Sequence, residues 1–182
     1  MSESESDLVL MPMYSNRILR VSLLQMLVTV PAGLYYRQYD CAAAVFGVFA
    51  TSVNYWRYPL RSSWRRYSDM IMVVLGVSYH FWRAPSSTRW YAFYASWCAA
   101  IAFYLRAKSI GSQDPDASSK WHAGLHVFGN VGNILMYTGA TPAMLTTHAA
   151  LMVNLVVAIG AVVTVFALLQ MSGNGSAARK DV

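Results

Sequence analysis

The sequence has few carboxylates and few charged residues of any kind. Of its 182 residues, 12% are charged, 56% are hydrophobic, and only eight are Asp or Glu. A soluble globule of this size would need more polar surface than these residues can supply, so the composition predicts that lipid covers much of the molecule. Both Glu residues lie within the first five positions, which leaves Asp69 as almost the only candidate for an acid–base group inside an apolar segment.

Cysteine is also scarce, and no leader segment is evident. Cys41 and Cys98 lie at the start of one apolar segment and in the middle of another, which argues against a disulfide framework and favours small packing residues. The first seven residues are acidic, and the first apolar run comes later. We therefore expect neither a cleavable secretory signal nor an organelle presequence.

Six apolar runs are present, and each approaches the length of about 20 residues that a spanning helix needs once flanking Trp and Tyr are included. They cover Ile18 to Tyr36, Cys41 to Trp56, Asp69 to Trp82, Trp90 to Leu105, Trp121 to Thr138, and Leu145 to Met171. Proline interrupts only the first run, at Pro31, where a kink is tolerable. The sequence therefore predicts an all-α, polytopic transmembrane helix bundle of about six spans over residues 18–171. A tail (1–17) precedes it, a disordered tail (172–182) follows it, and its longest polar loop is expected at Ser109 to Lys120.

The distribution of Lys and Arg among the connections predicts the orientation. Eleven of the 14 basic residues lie on the side that holds both termini, and three, Arg37, Arg83 and Arg89, lie on the other. Basic residues of short loops remain in the cytosol, so we expect an integral membrane protein whose N- and C-termini are cytosolic. Because the basic residues are scattered between apolar runs, we expect membrane lipids and not nucleic acid as partners.

The fifth run carries the most informative polar residues. His122, His126, Asn130 and Asn133 fall within an arc of roughly 80° on one face of a helix. Polar groups are costly in lipid, so this face should point into the bundle. Two His residues four positions apart can share one metal ion, but hydrogen bonds to neighbouring helices are the plainer explanation, and the spacing leaves both open.

The predicted topology brings further polar residues to the same depth. His122 and His126 begin the fifth run at its cytosolic end, Asp69 begins the third at that end, and Ser52 lies about one turn from the end of the second. Such convergence is what a metal or catalytic site requires, and an interfacial hydrogen-bond cluster would show it too. The plainer roles are a helix-packing hydroxyl for Ser52 and, for Asp69, a helix N-cap or an ion pair with a neighbouring Arg.

These residues resemble the pattern of the CREST superfamily, which includes alkaline ceramidases, the progestin and adipoQ receptors, and related membrane hydrolases. The superfamily has Ser-x-x-x-His on one span, Asp on the next and His-x-x-x-His on a late span, and its three His bind zinc. The similar stretches here are Ser52-Val53-Asn54-Tyr55-Trp56, Asp69 and His122-x-x-x-His126. The resemblance covers three short segments of the chain.

The resemblance implies a zinc-dependent hydrolase of lipid amide or ester bonds. His122, His126 and Asp69 would bind the metal, Asp69 would act as general base or orient the zinc-bound water, and Ser52 would stabilise the oxyanion. Trp56, however, stands where the family has its first zinc-ligating His, and family members usually have seven spans. The alternative is a non-catalytic membrane protein, such as a pseudoenzyme, a receptor-like module or an accessory subunit of a membrane complex.

Overall fold

The computed structural model describes residues 8–140, and most of them are helical. Five long helices follow one another: α1 (Pro12–Tyr35), α2 (Tyr39–Trp56), α3 (Trp64–Arg83), α4 (Trp90–Ile110) and α5 (Pro115–Thr138). This part of the chain contains no strand, so the all-α prediction is confirmed. The first five predicted runs each correspond to one helix, whereas the sixth run and the C-terminal tail lie outside the described residues.

Helix α1 changes its geometry in the middle, next to its proline. The chain is α-helical over Pro12–Leu24, widens to a π-helical turn over Gln25–Thr29, and is α-helical again over Val30–Tyr35. Pro31 lacks an N–H, and in an α-helix its ring would clash with the carbonyl of Leu27, so a wider turn relieves the clash. Among the described helices, α1 is the one that is long and apolar enough to cross a membrane by these criteria alone.

Helix α5 begins earlier than the sequence predicts. The stretch from Ser109 to Lys120 is predicted to be a loop, yet α4 continues to Ile110 and α5 begins at Pro115. The Asp114 side chain accepts a hydrogen bond of 2.9 Å from the backbone N–H of Ala117, and Pro115 follows at the start of the helix. The loop prediction is wrong because a capping Asp followed by Pro starts a helix.

The five helices form a ring. In order around it, α3 contacts α2, α2 contacts α1, α1 contacts α5, and α5 packs closely on α4. The α4–α5 contact is close because Gly132 faces Trp97, and a Cβ atom at Gly132 would lie 3.0 Å from the indole. The Phe81 ring of α3 contacts Phe93 and Tyr94 of α4, with ring centroids 5.2 and 5.4 Å apart, and closes the ring. This arrangement leaves a central, partly open space that all five helices line.

Candidate functional site: a central cavity

A cavity of about 520 Å³ occupies the centre of the ring. Small-molecule sites typically have volumes of about 300–1,000 Å³ and mostly apolar walls with a few polar groups. The apolar part of this wall includes Val45, Val48, Val73, Val77, Ile101 and Leu125. Ser52, Asp69, His122 and His126, the cavity cluster, also line it. The four residues singled out from the sequence therefore line one cavity, in which Ser52 contacts Asp69 and His122 contacts His126.

Ser52 and Asp69 are joined by a direct hydrogen bond. The Ser52 hydroxyl donates to Asp69 Oδ1 at 2.5 Å, and the Thr51 hydroxyl approaches the same oxygen at 3.4 Å. Asp69 is not the N-cap of α3, because the Ser63 side chain has that role and accepts the backbone N–H of Arg66 at 3.3 Å. The Asp69 carboxylate is therefore held by hydroxyl groups of α2.

The two His residues lie one turn apart on α5, against an aromatic neighbour. The ring centroids of His122 and His126 are 5.3 Å apart, and the Trp56 ring lies 5.1 Å from His122 at 68° to it. The Tyr104 ring of α4 also faces His122, with the ring centroids 6.3 Å apart. An indole donates one N–H and offers no lone pair to a metal. Trp56 therefore fills the place beside His122 with a group that cannot coordinate.

The residues of the cavity cluster do not fit the zinc site that the resemblance implies. A catalytic zinc is typically bound by about three protein ligands. Within residues 8–140, no three His, Cys, Asp or Glu side chains are arranged so that they could hold one metal ion. His122 and His126 thus lack a third ligand among the described residues, and Asp69 does not complete the set.

Asn130 and Asn133 connect α5 to two other helices. The Thr29 hydroxyl of α1 donates to Asn130 Oδ1 at 2.6 Å, and Asn130 Nδ2 donates to the His126 carbonyl at 2.6 Å. Trp97 Nε1 of α4 donates to Asn133 Oδ1 at 3.2 Å. For the two Asn residues, the explanation by hydrogen bonds to neighbouring helices is confirmed.

Two buried polar atoms of cavity-lining residues have no hydrogen-bond partner within residues 8–140. They are Gln25 Oε1 and His126 Nε2. Gln25 belongs to the π-helical turn of α1, and no motif in the sequence pointed to it. The signal that could have found it is an amide in the middle of an apolar run that also contains Pro31, because π-turns occur next to such breaks and often at functional sites.

A second polar group, the far cluster, consists of Asp40, Arg83, Tyr79 and Gln38 at the opposite end of α2 and α3. Arg83 Nε lies 3.1 Å from Asp40 Oδ2 in a buried ion pair. The Tyr79 hydroxyl donates to the same carboxylate, and Arg83 donates to Gln38 Oε1 at 2.8 Å. No pattern in the sequence indicated this pair, although Asp40 and Arg83 lie at adjacent ends of two consecutive helices.

His80 lines the cavity between the two clusters and differs from His126. Its Nδ1 lies 2.7 Å from the Gly76 carbonyl, and its Nε2 lies 2.8 Å from the Tyr137 hydroxyl. A carbonyl can only accept, so Nδ1 carries the hydrogen and Nε2 accepts from Tyr137. Both ring nitrogens of His80 are thus satisfied by the protein.

Comparisons of the chain with protein-family models, with curated proteins and with solved structures find no match in any of the three.

Proposed function

We propose that this chain is a multi-pass membrane protein that binds a single-chain lipid in its central cavity and does not hydrolyse it. The observation that carries the proposal is the make-up of the cavity, in which apolar walls surround the cavity cluster and Trp56 stands beside His122. A mostly apolar wall with a few polar groups is the usual form of a ligand site. The proposal makes the chain a non-catalytic, receptor-like relative of the CREST hydrolases.

The outer surface of the bundle supports a membrane location. All five helices expose large apolar side chains away from the cavity, among them Leu27, Leu34, Phe46, Ile71, Leu105, Val127 and Val131. In water, apolar area on every helix would favour association, whereas lipid tails cover it without cost. The proposal therefore includes six spans, a sixth at Leu145 to Met171, and both termini in the cytosol.

The shape of the cavity supports a chain-like ligand. The lining follows α3 from Asp69 to His80, which are 11 residues apart and so separated by about 16 Å along the helix axis. Between these two ends, the α3 residues that line the cavity are non-polar, Val73 and Val77 among them. An acyl or alkyl chain matches this wall better than a compact polar solute.

Blocking the cavity tests whether it binds lipid. The probes are radiolabelled oleyl alcohol, oleate and methyl oleate, each bound to the full chain in detergent micelles. We expect saturable binding of at least one probe, and we expect Ile101→Trp to weaken it by about tenfold or more because the larger ring fills the cavity. Leu105→Trp, on the outer surface one turn along the same helix, is the matched control and should bind as the unmodified chain does. Absence of saturable binding, or equal binding by both Trp variants, would overturn the proposal.

Zinc-dependent hydrolysis of a lipid amide or ester is the rival function. It is favoured by the presence of Ser52, Asp69, His122 and His126 in the lining of one cavity. Metal analysis of the purified chain separates the two. We expect zinc well below one ion per chain, and we expect Trp56→His to raise it because a third imidazole would then stand beside His122.

A matched control adds an imidazole elsewhere. Trp90→His replaces an exposed Trp that is outside the cavity, so it should leave the zinc content unchanged. Near-stoichiometric zinc in the unmodified chain, lost when His122→Ala and His126→Ala are combined, would contradict the proposal and support the hydrolase.

A further inference from the structure

Helices α1 and α5 run side by side in matched register. Arg17 Nη1 of α1 donates to the Ser119 hydroxyl of α5 at 2.6 Å, and further along the same two helices Thr29 donates to Asn130 at 2.6 Å. The partners in these two contacts are 102 and 101 residues apart in sequence. Gln25 and His126 are also 101 residues apart, so the same register places them opposite each other, one turn before the Thr29–Asn130 contact.

These two opposite residues are the ones that carry the unsatisfied atoms. Gln25 is 9% exposed, and within residues 8–140 neither its Oε1 nor His126 Nε2 has a hydrogen-bond partner. The polar groups one turn away are already engaged, because Thr29 donates to Asn130 and Asn130 donates to the His126 carbonyl. Buried polar atoms are normally hydrogen-bonded, so a pair of them on a cavity wall calls for a bound group.

We infer that Gln25 and His126 form a polar subsite that binds a hydroxyl group of the lipid, an inference that rests on the proposed function. A hydroxyl both donates and accepts. When the neutral His126 ring carries its hydrogen on Nε2, one hydroxyl can accept from that N–H and donate its own hydrogen to Gln25 Oε1. A carboxylate or phosphate only accepts, so its oxygens would face the Gln25 oxygen without a proton between them. The subsite therefore selects a lipid alcohol over a lipid acid or ester.

The test compares the dissociation constants of oleyl alcohol, oleate and methyl oleate, which share one hydrocarbon chain and differ in the polar group. For the unmodified chain we expect the alcohol to bind about tenfold more tightly than the methyl ester, which cannot donate a hydrogen bond. Gln25→Leu should remove this preference, and saturable binding of methyl oleate by the same variant would show that the cavity is intact. Gln25→Glu keeps an acceptor oxygen and should keep most of the preference.

The outcomes separate this inference from the proposed function. Equal affinity of the unmodified chain for alcohol and ester would overturn the inference. So would an unchanged preference in Gln25→Leu, because a water molecule would then be the partner of Gln25. In both cases, saturable binding of the probes would still support the proposed function. If no probe binds, the proposed function and this inference are both wrong.

Discussion

The far cluster and the cavity differ in what their polar groups bind. In the far cluster, Arg83 compensates the charge of Asp40, Tyr79 donates to the Asp40 carboxylate, and Arg83 donates to Gln38. Asp40 Oδ1 has no hydrogen-bond partner within residues 8–140, but Asp40 does not line the cavity. On the cavity wall, the buried atoms that no described residue satisfies, Gln25 Oε1 and His126 Nε2, belong to residues that border the open space. A polar group satisfied by its own protein needs only a structural explanation, whereas an unsatisfied group beside a cavity points to a ligand. Unsatisfied polar atoms beside the cavity, more than the presence of polar residues alone, therefore distinguish the candidate site from the rest of the bundle.

Disrupting the far cluster should have the largest effect on stability. Asp40→Ala or Arg83→Ala leaves one buried charge without its partner, and each should lower the free energy of unfolding by about 3–5 kcal/mol. The double variant should cost clearly less than the sum, because no unpaired charge remains. Reversible unfolding in mixed micelles measures all three variants. If the losses of unfolding free energy in the two single variants add up to the loss in the double variant, Asp40 and Arg83 act independently and do not stabilise the fold as a pair.

The far cluster also shows where sequence patterns stop being informative. Depth in the bundle follows from the order of the apolar runs, which is why Ser52, Asp69 and His122 could be expected at similar depth, and all three line one cavity. The direction in which a side chain points around its helix depends on packing, and it decides that Asp40 and Arg83 meet. The lengths of the polar loops and the positions of the apolar runs do not predict this direction.

Changes at the Ser52–Asp69 pair should have a smaller effect. Ser52→Ala removes the donor at 2.5 Å from a buried carboxylate and should lower the free energy of unfolding by about 1–3 kcal/mol, which is less than either change to the ion pair. The loss is moderated because Thr51 still approaches Asp69 at 3.4 Å. Ser96→Ala, which removes a hydroxyl that donates to the Phe128 carbonyl at 2.8 Å away from the pair, is a suitable control. If Ser52→Ala lowers the free energy of unfolding as much as Asp40→Ala does, the Ser52–Asp69 pair has mainly a structural role.

Two features of the site depend on local backbone geometry that the apolar pattern does not reveal. Gln25 faces the cavity from a π-helical turn, and that turn follows from Pro31 within a helix that tertiary contacts hold in place. The Arg17–Ser119 contact that helps to set the register exists because α5 starts at Pro115, within a segment predicted to be a loop. A helix start coded by Asp114 and Pro115 was visible in the sequence, whereas the π-turn required the structure.

The smallest effect on stability is expected at the exposed end of the α1–α5 contact. The Asp116 carboxylate, 40% exposed, lies 2.6 Å from Lys120 and 2.8 Å from Arg17. Hydrogen bonds from Lys120 and then from Arg17 hold the pKa of Asp116 below its ordinary value of 3.8. A carboxyl whose pKa is depressed in the folded state stabilises the fold above the pKa of the unfolded state, and this contribution is lost as the pH falls through the folded-state pKa.

Asp116→Asn should therefore lower the melting temperature only slightly near neutral pH, and the difference from the unmodified chain should shrink as the pH falls below 3.8. High salt should shrink it as well, because exposed ion pairs are screened. Melting curves in detergent across this pH range, at low and high salt, measure both trends. A difference that stays constant with pH and salt would mean that the substitution acts through the geometry of the side-chain hydrogen bonds to Arg17 and Lys120, and that the charge of Asp116 contributes nothing to the register that places Gln25 opposite His126.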